Sequence, residues 1–310
     1  MRELYDNPFT YNPMKLSLKI FAFLTLSHIP FMIWGHNEEE PLKSSTTTNQ
    51  ITNSLADHIP LLEKPTSTSG LSVSTKPLQG PLKIGEKAEV LLHLNKKDGS
   101  PLLLDDLKEA HTQKIHLLTI DSSLIDYHHQ HPIPTKKPGE YQFNFTPQKP
   151  GAYRIWVDIV PTATDKEEYL VADLPAETKG EPITDREPST STQLEDLTFT
   201  LSFDKTPLKV GEAALAKLKI TKGKNAVFTQ LEPIMGAYAH IVGFSEDHQT
   251  IAHIHPIGPE PTKESDRGIG EIIFHLVPKK PGLLRLFAQI RVKGEDKFAR
   301  FTLFVPVESD

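Results

Sequence analysis

The chain has 310 residues, with 34 Lys and Arg against 40 Asp and Glu, 14 His, 26 Pro and no Cys, for a net charge of −6. The missing Cys excludes disulfides, thiol catalysis, Cys-type zinc fingers and iron–sulfur clusters, and the mildly acidic balance lacks the basic footprint of a nucleic-acid binder. Hydrophobic residues make up 37% of the chain. That is low for a globular protein, so part of the chain is expected to lie outside a packed core.

In chain order, Lys15 and Lys19 precede the apolar stretch 20–34, IFAFLTLSHIPFMIW, and Gly35 is followed by the polar run HNEEE. A basic flank, a short apolar run and a polar exit predict a signal peptide or uncleaved anchor over residues 1–35. The protein is then periplasmic or at the cell surface, and this segment is its only membrane contact. Cleavage after Gly35 would expose His36, whose amine and ring can chelate copper. Residues 36–75 are rich in Ser, Thr, Asn and Pro and predict a flexible tether, because they cannot bury enough apolar area to offset the entropy of ordering.

The rest of the chain repeats itself. PLKIGE (81–86) matches PLKVGE (207–212), and GEYQFNFTPQKPGAYR (139–154) matches GEIIFHLVPKKPGLLR (270–285) in one register. Between these anchors Leu107, His116, His129, His131 and Pro132 correspond to Leu231, His240, His253, His255 and Pro256, with equal internal spacings. A duplication predicts a first domain over 76–174, a linker over 175–196 and a second domain over 197–310.

Within each unit, runs such as YQFNF (141–145), AYRIWVDIV (152–160) and LRLFAQIRV (284–292) alternate and are separated by Pro and Gly, as strands are. No segment holds a helical period; LDDLKEAH (104–111) makes at most one or two turns. These signals predict an all-β chain of two tandem immunoglobulin-like antiparallel β-sandwiches. Trp156 and Phe287 stand at matched positions and are expected to anchor the two cores.

Nine of the histidines fall in the windows 111–132 and 235–256, each of which reads as a β-hairpin. With Ile120 and Ile125 flanking the first turn, His116 faces His129 and His131 lies diagonally. With Phe244 and Gln249 flanking the second, His240 faces His253. Residues i and i+2 share a face of a strand, as do directly opposed residues. Each unit thus places three imidazoles together: His116, His129 and His131, then His240, His253 and His255. Imidazole suits copper and zinc. A fourth ligand is expected five residues before the first His of each set, where His111 and Met235 correspond. A thioether is soft and favours copper, with zinc also possible. The alternative is a hydrogen-bonded histidine cluster that fixes the hairpin, with Met235 as a core filler.

His93, His128 and His248 have no counterparts and are expected to be solvated, although His128 is also placed to join the first set. Asp121, Asp126, Glu246 and Asp247 fall in or beside turns, where such residues serve the backbone. Arg154 and Arg285 are expected in surface salt bridges. No nucleophile elbow, P-loop or dinucleotide motif is present, so the chain is not expected to be an enzyme.

The segment MGAYAHIVGFSEDHQTIAHIHP (235–256) resembles the M-G-A-x-x-H…H-x-H-P signature of exported bacterial immunoglobulin-like proteins that sometimes accompany copper or heavy-metal handling genes. Residues 116–161 resemble the first half of two-unit members, and the likeness extends over 78–308. It carries onto Met235, Gly236, Ala237, His240, His253, His255 and Pro256. The first unit departs from it, with His111 for Met and no Gly-Ala pair. The resemblance implies an exported β-sandwich with a metal link. Together these readings predict an exported copper-binding protein acting in buffering, resistance or delivery. The competing expectation is a non-catalytic adhesion or assembly module that meets a surface or periplasmic protein partner.

Overall fold

The computed structural model describes residues 69–254 and 256–307. The predicted signal or anchor segment, residues 36–68 of the tether, and His255 lie outside the described residues. Among the described residues no helix is long and apolar enough to cross a membrane, and the only helical element is a 3-10 turn at Leu104–Asp106.

The first repeat contains β1 (Ser72–Pro77), β2 (Ala88–Asn95), β3 (Leu107–Lys108), β4 (His116–Asp121), β5 (Tyr127–Gln130), β6 (Ile133–Pro134), β7 (Glu140–Phe145), β8 (Tyr153–Pro161) and β9 (Glu168–Leu174). One sheet runs β1-β2-β7-β6. In the other, β8 lies between β9 and β4, β5 follows β4, and β3 also pairs with β8. The second repeat contains β10 (Ser191–Leu194), β11 (Leu197–Phe203), β12 (Ala214–Lys222), β13 (Ala226–Val227), β14 (His240–Ser245), β15 (Ile251–Ile254), β16 (Glu271–Leu276), β17 (Gly282–Val292) and β18 (Glu295–Val305). Its sheets run β10-β11-β12, with β13 and β16 both on β12, and β15-β14-β17-β18. The named strands pair antiparallel throughout, and the result is two tandem immunoglobulin-like sandwiches.

Alternation fills each sandwich. Val90, Leu92 and Leu94 of β2 point inward against Phe143 and Phe145 of β7 and Ile155, Val157 and Ile159 of β8. Phe199, Leu218, Ile220, Phe274 and Phe301 do the same work in the second repeat. Strands β8 and β17, however, are buried on both faces. A strand that is apolar on both faces must be covered on both. The second cover is the other repeat: Leu118, Ile120, Tyr127 and Trp156 pack with Val242, Phe244, Ile251 and Phe287 in a third cluster drawn from both units. The Trp156 and Phe244 rings lie 5.2 Å apart, and Tyr127 and Phe287 4.9 Å. Trp156 and Phe287 therefore anchor the seam between the repeats rather than the two sandwich cores. The expectation failed because their neighbours Ile155, Val157, Leu286 and Ala288 already face those cores.

The histidine hairpins form, with a register two residues from the expected one. Leu118 pairs with His129 and Ile120 with Tyr127; Val242 pairs with His253 and Phe244 with Ile251. His129 and His253 thus face Leu118 and Val242, and extending the first ladder by one residue sets His131 opposite His116. A shift of two keeps every side chain on its face. Both loops are wider than expected: in the first the buried Asp121 carboxylate accepts the backbone N–H groups of Ser123, Ile125 and Asp126 at 2.8 Å each, and in the second Ser245 Oγ accepts the Thr250 N–H at 3.0 Å.

Of residues 175–196, expected only as a linker, 180–186 run along the seam and Ser191–Leu194 is strand β10 of the second repeat. Ile183 packs on the shared cluster. Arg285 donates to the Asp185 carbonyl at 2.6 Å, Arg300 reaches its carboxylate at 3.0 Å, and Arg186 pairs with Glu246 at 2.5 Å. Gly180 passes so near β4 that a Cβ there would stand 2.1 Å from Ser122 Oγ.

Because Trp156 is fully buried in the seam, Trp156→Ala should destabilise the chain by about 3–5 kcal/mol, read from urea unfolding. An unchanged midpoint would contradict this packing.

Candidate metal centre

Each histidine set begins at a tight turn. Ala110 and Gln113 bridge around His111 and Thr112, and Ile234 and Ala237 bridge around Met235 and Gly236. The central residues have φ of +50° and +69° in the first turn and +49° and +77° in the second. Positive φ at both central positions is the type I′ turn that suits a two-residue loop. Gly236 takes this conformation without steric cost, whereas the β-branched Thr112 does not.

The first carbonyl of each turn reaches a ring. His116 Nε2 donates to Ala110 O at 2.9 Å, and His240 Nε2 donates to Ile234 O at 3.0 Å. A carbonyl only accepts, so in both rings Nε2 carries the hydrogen and Nδ1 the lone pair. The M-G-A-x-x-H spacing thus has a geometric meaning: the turn sets the tautomer of the histidine that follows it.

His129 is oriented from the other repeat. Its Nδ1 lies 2.9 Å from Gln289 Oε1, and Gln289 Nε2 donates to Asp296 Oδ2 at 3.0 Å. The carboxylate fixes which end of the amide is oxygen, so His129 donates through Nδ1 and keeps its lone pair on Nε2. That nitrogen is 3.2 Å from His116 Nδ1, and His131 Nε2 is 3.1 Å from the same atom. One ring nitrogen from each of His116, His129 and His131 lies within 4.8 Å of the others.

The exchange is reciprocal. His253 Nδ1 lies 2.8 Å from Asp158 Oδ2, and Asp158 precedes Gln289 by the same interval as Trp156 precedes Phe287. Each repeat orients a histidine of its partner repeat. The sequence suggested a separate set in each unit; in the fold His240 and His253 of the second set meet the first set at the seam. The His253 ring is 5.5 Å from His116, 5.4 Å from His129 and 5.7 Å from His240. His111, on its exposed turn, reaches over the group and stands 6.2 Å from His116 and 6.0 Å from both His240 and His253. Met235 occupies the corresponding turn position, half-buried.

His93, His128 and His248 stand apart from this group, but they are not simply solvated. His128 lies on the opposite face of β5, 3.0 Å from Asp126 and against Phe145 and Tyr153. His93 meets Glu140 at 3.1 Å, and His248 Nε2 donates across the seam to Asp121 O at 3.2 Å. Arg154 pairs with Asp173 as a strand-borne Arg should. Arg285 is instead fully buried and holds the linker, because its face of β17 is covered by the first repeat. Asp158, Glu167 and Gln289 escaped the sequence reading. Their signal was a carboxylate within the apolar run RIWVDIV and an amide at the matched place.

The His111 ring, covered where it lies over the group although the residue as a whole is exposed, and the His131 ring are brought down to about 4 by burial and the neighbouring His116 ring. Burial brings His240 to about 3 and holds His129 and His253 well below the usual imidazole range. These rings are neutral at pH 7 and present lone pairs. Burial also pushes the Asp158 carboxyl up to about 6.

Two immunoglobulin-like sandwiches joined by a histidine-lined seam define the class of protein. The chain belongs to the DUF8832 family, a domain of unknown function, whose pattern matches twice, over residues 66–173 and 192–307. No curated protein matches the chain. Among solved structures it is similar to the Escherichia coli adhesin FdeC at 17% identity and a TM-score of 0.24, covering 78% of this chain and 65% of that one. It is similar to a DUF4785 family protein of Legionella pneumophila at 8% identity and 0.25, covering 78% and 56%. For Escherichia coli alpha-2-macroglobulin the values are 13% and 0.23, covering 76% and 20%. The chain spans less than two thirds of each of these proteins, and superpositions this low carry no functional argument.

The depressed imidazoles link stability to pH. In the unfolded chain these rings take protons near 6.5, but in the fold only well below it. The stability they confer is complete above about pH 6.5 and is lost as pH falls toward 4. The raised Asp158 acts in the opposite sense, losing its contribution as pH rises through about 6, but it is one group against five. The Tm of the metal-free chain should therefore fall steadily from pH 6.5 to pH 4; a flat profile would count against buried neutral rings.

Proposed function

We propose that the seam holds a transition-metal ion, with His116 Nδ1, His129 Nε2 and His131 Nε2 as ligands and copper as the preferred metal. The observation that carries this reading is the locked pair of lone pairs, His116 Nδ1 and His129 Nε2, 3.2 Å apart. Two lone pairs at that distance repel unless a proton or cation lies between them. Nitrogens bound at about 2.0–2.1 Å around a tetrahedral ion stand about 3.3–3.4 Å apart, close to the 3.1 and 3.2 Å found here.

Neutral imidazoles suit copper and zinc and are poor ligands for magnesium or calcium. The resemblance to proteins that accompany copper-handling genes, and the thioether at Met235 on the second turn, favour copper. In this reading the protein is an exported, non-catalytic metal carrier or buffer, attached by its N-terminal segment and able to hand its ion to a surface or periplasmic partner. The alternative, a purely structural histidine cluster within an adhesion module, requires no metal.

Titration of the purified chain with Cu(I), Cu(II) and Zn(II) tests this. One tight ion should be lost in His129→Ala and retained in His128→Ala, because His128 faces away from the cluster. Gln289→Leu should weaken binding about 10–100-fold by releasing the His129 ring. Absence of stoichiometric binding at pH 7, or equal binding by His129→Ala, would leave the structural alternative.

A further inference from the structure

The seam contains one arrangement twice, and its copies differ in charge. Across β17 and β18 Gln289 pairs with Phe298, and Asp296 stands two residues before Phe298. Across β8 and β9 Asp158 pairs with Tyr169, and Glu167 stands two residues before Tyr169. Gln289 and Asp296 thus match Asp158 and Glu167.

In the second repeat the arrangement is balanced. The Gln289 amide donates to Asp296, and Arg291 Nε adds a charged hydrogen bond to that carboxylate at 2.6 Å. In the first repeat a carboxylate replaces the amide, and Val160 occupies the place of Arg291. One carboxylate oxygen each from Asp158 and Glu167 and one ring nitrogen of His253 lie within 4.8 Å of one another. Asp158 and His253 are buried, while Glu167 is exposed. Two carboxylates gathered beside a neutral imidazole, one of them out of water, repel unless a shared proton or a divalent cation lies between them.

We propose that Asp158, Glu167 and His253 form a second cation site, separate from the histidine trio, for a divalent ion such as Zn(II) or Mn(II). Mixed oxygen and nitrogen ligands suit these ions better than Cu(I). On binding, the single proton of the neutral His253 ring moves from Nδ1 to Nε2 by exchange with solvent, the Nδ1 lone pair goes to the ion, and the two carboxylates offset the ion's charge. The 2.8 Å between His253 Nδ1 and Asp158 Oδ2 is a hydrogen-bond distance, so the pair opens by about half an ångström to reach the spacing of tetrahedral ligands at about 2.0–2.1 Å from one ion. Glu167 at the surface meets the ion first and leads it inward. The inference does not depend on the trio being occupied.

Zinc binding to the metal-free full chain, followed by equilibrium dialysis, tests it. The wild-type chain should take up two ions. Glu167→Gln, at an exposed position that the fold tolerates, should weaken one of them at least tenfold and leave the other. His131→Ala should do the reverse. Two unaltered ions in Glu167→Gln, or a single wild-type ion indifferent to it, overturns the second site and leaves the trio standing. Loss of only the ion that depends on His131 in His131→Ala, with the other kept, separates the two sites. If the trio takes no zinc or copper while one ion still depends on Glu167, the second site stands alone.

Discussion

Two imidazole lone pairs, on His116 Nδ1 and His129 Nε2, face each other at 3.2 Å, and the rest of the structure serves to hold them there. The first is fixed by a turn carbonyl six residues upstream, the second by an amide 160 residues downstream. The second constraint is lost if the repeats separate, because it crosses the seam. The site therefore depends on the apolar seam, on the strands β8 and β17 that face both a sandwich core and the other repeat, and on the linker that runs along their junction. Burial of the His129 ring is part of the same constraint, because it keeps that ring neutral and able to donate an electron pair at neutral pH.

Duplication supplied the symmetry, and later divergence gave the halves different chemistry. His116 and His240 retain the same bond to the carbonyl of a type I′ turn. Their partner histidines are oriented by different groups, a neutral amide for His129 and a carboxyl for His253. Exchange of orienting groups between repeats makes the two units one functional body, although each has its own hydrophobic core.

Much of this was legible in the sequence. The repeat, the sandwiches and the shared face of His116, His129 and His131 follow from matched spacings and a side-chain period of two. The register was read two residues out because both loops are wider than expected, with side-chain contacts of Asp121 and Ser245 that no hydropathy pattern encodes; parity kept the histidines together nonetheless. The convergence of histidines from both repeats was not read, although a clue was present: Trp156 and Phe287 stand on the faces of RIWVDIV and LRLFAQI that a solvent-exposed sheet would keep polar throughout. Asp158 and Gln289 each orient a histidine of the other repeat, and pairwise contacts over such a separation leave no local signature. The residues 175–196 looked like a free linker by composition, yet Arg285, Arg300 and Ile183 give them a fixed course.

The central claim is that one ion sits where three ring nitrogens from the first repeat converge under the control of the second. Anomalous diffraction from crystals of the copper-loaded chain tests it most directly. The account predicts a peak about 2.0–2.1 Å from His116 Nδ1, His129 Nε2 and His131 Nε2. Copper found only at His93 or His128, or no peak at the seam at full loading, would contradict it.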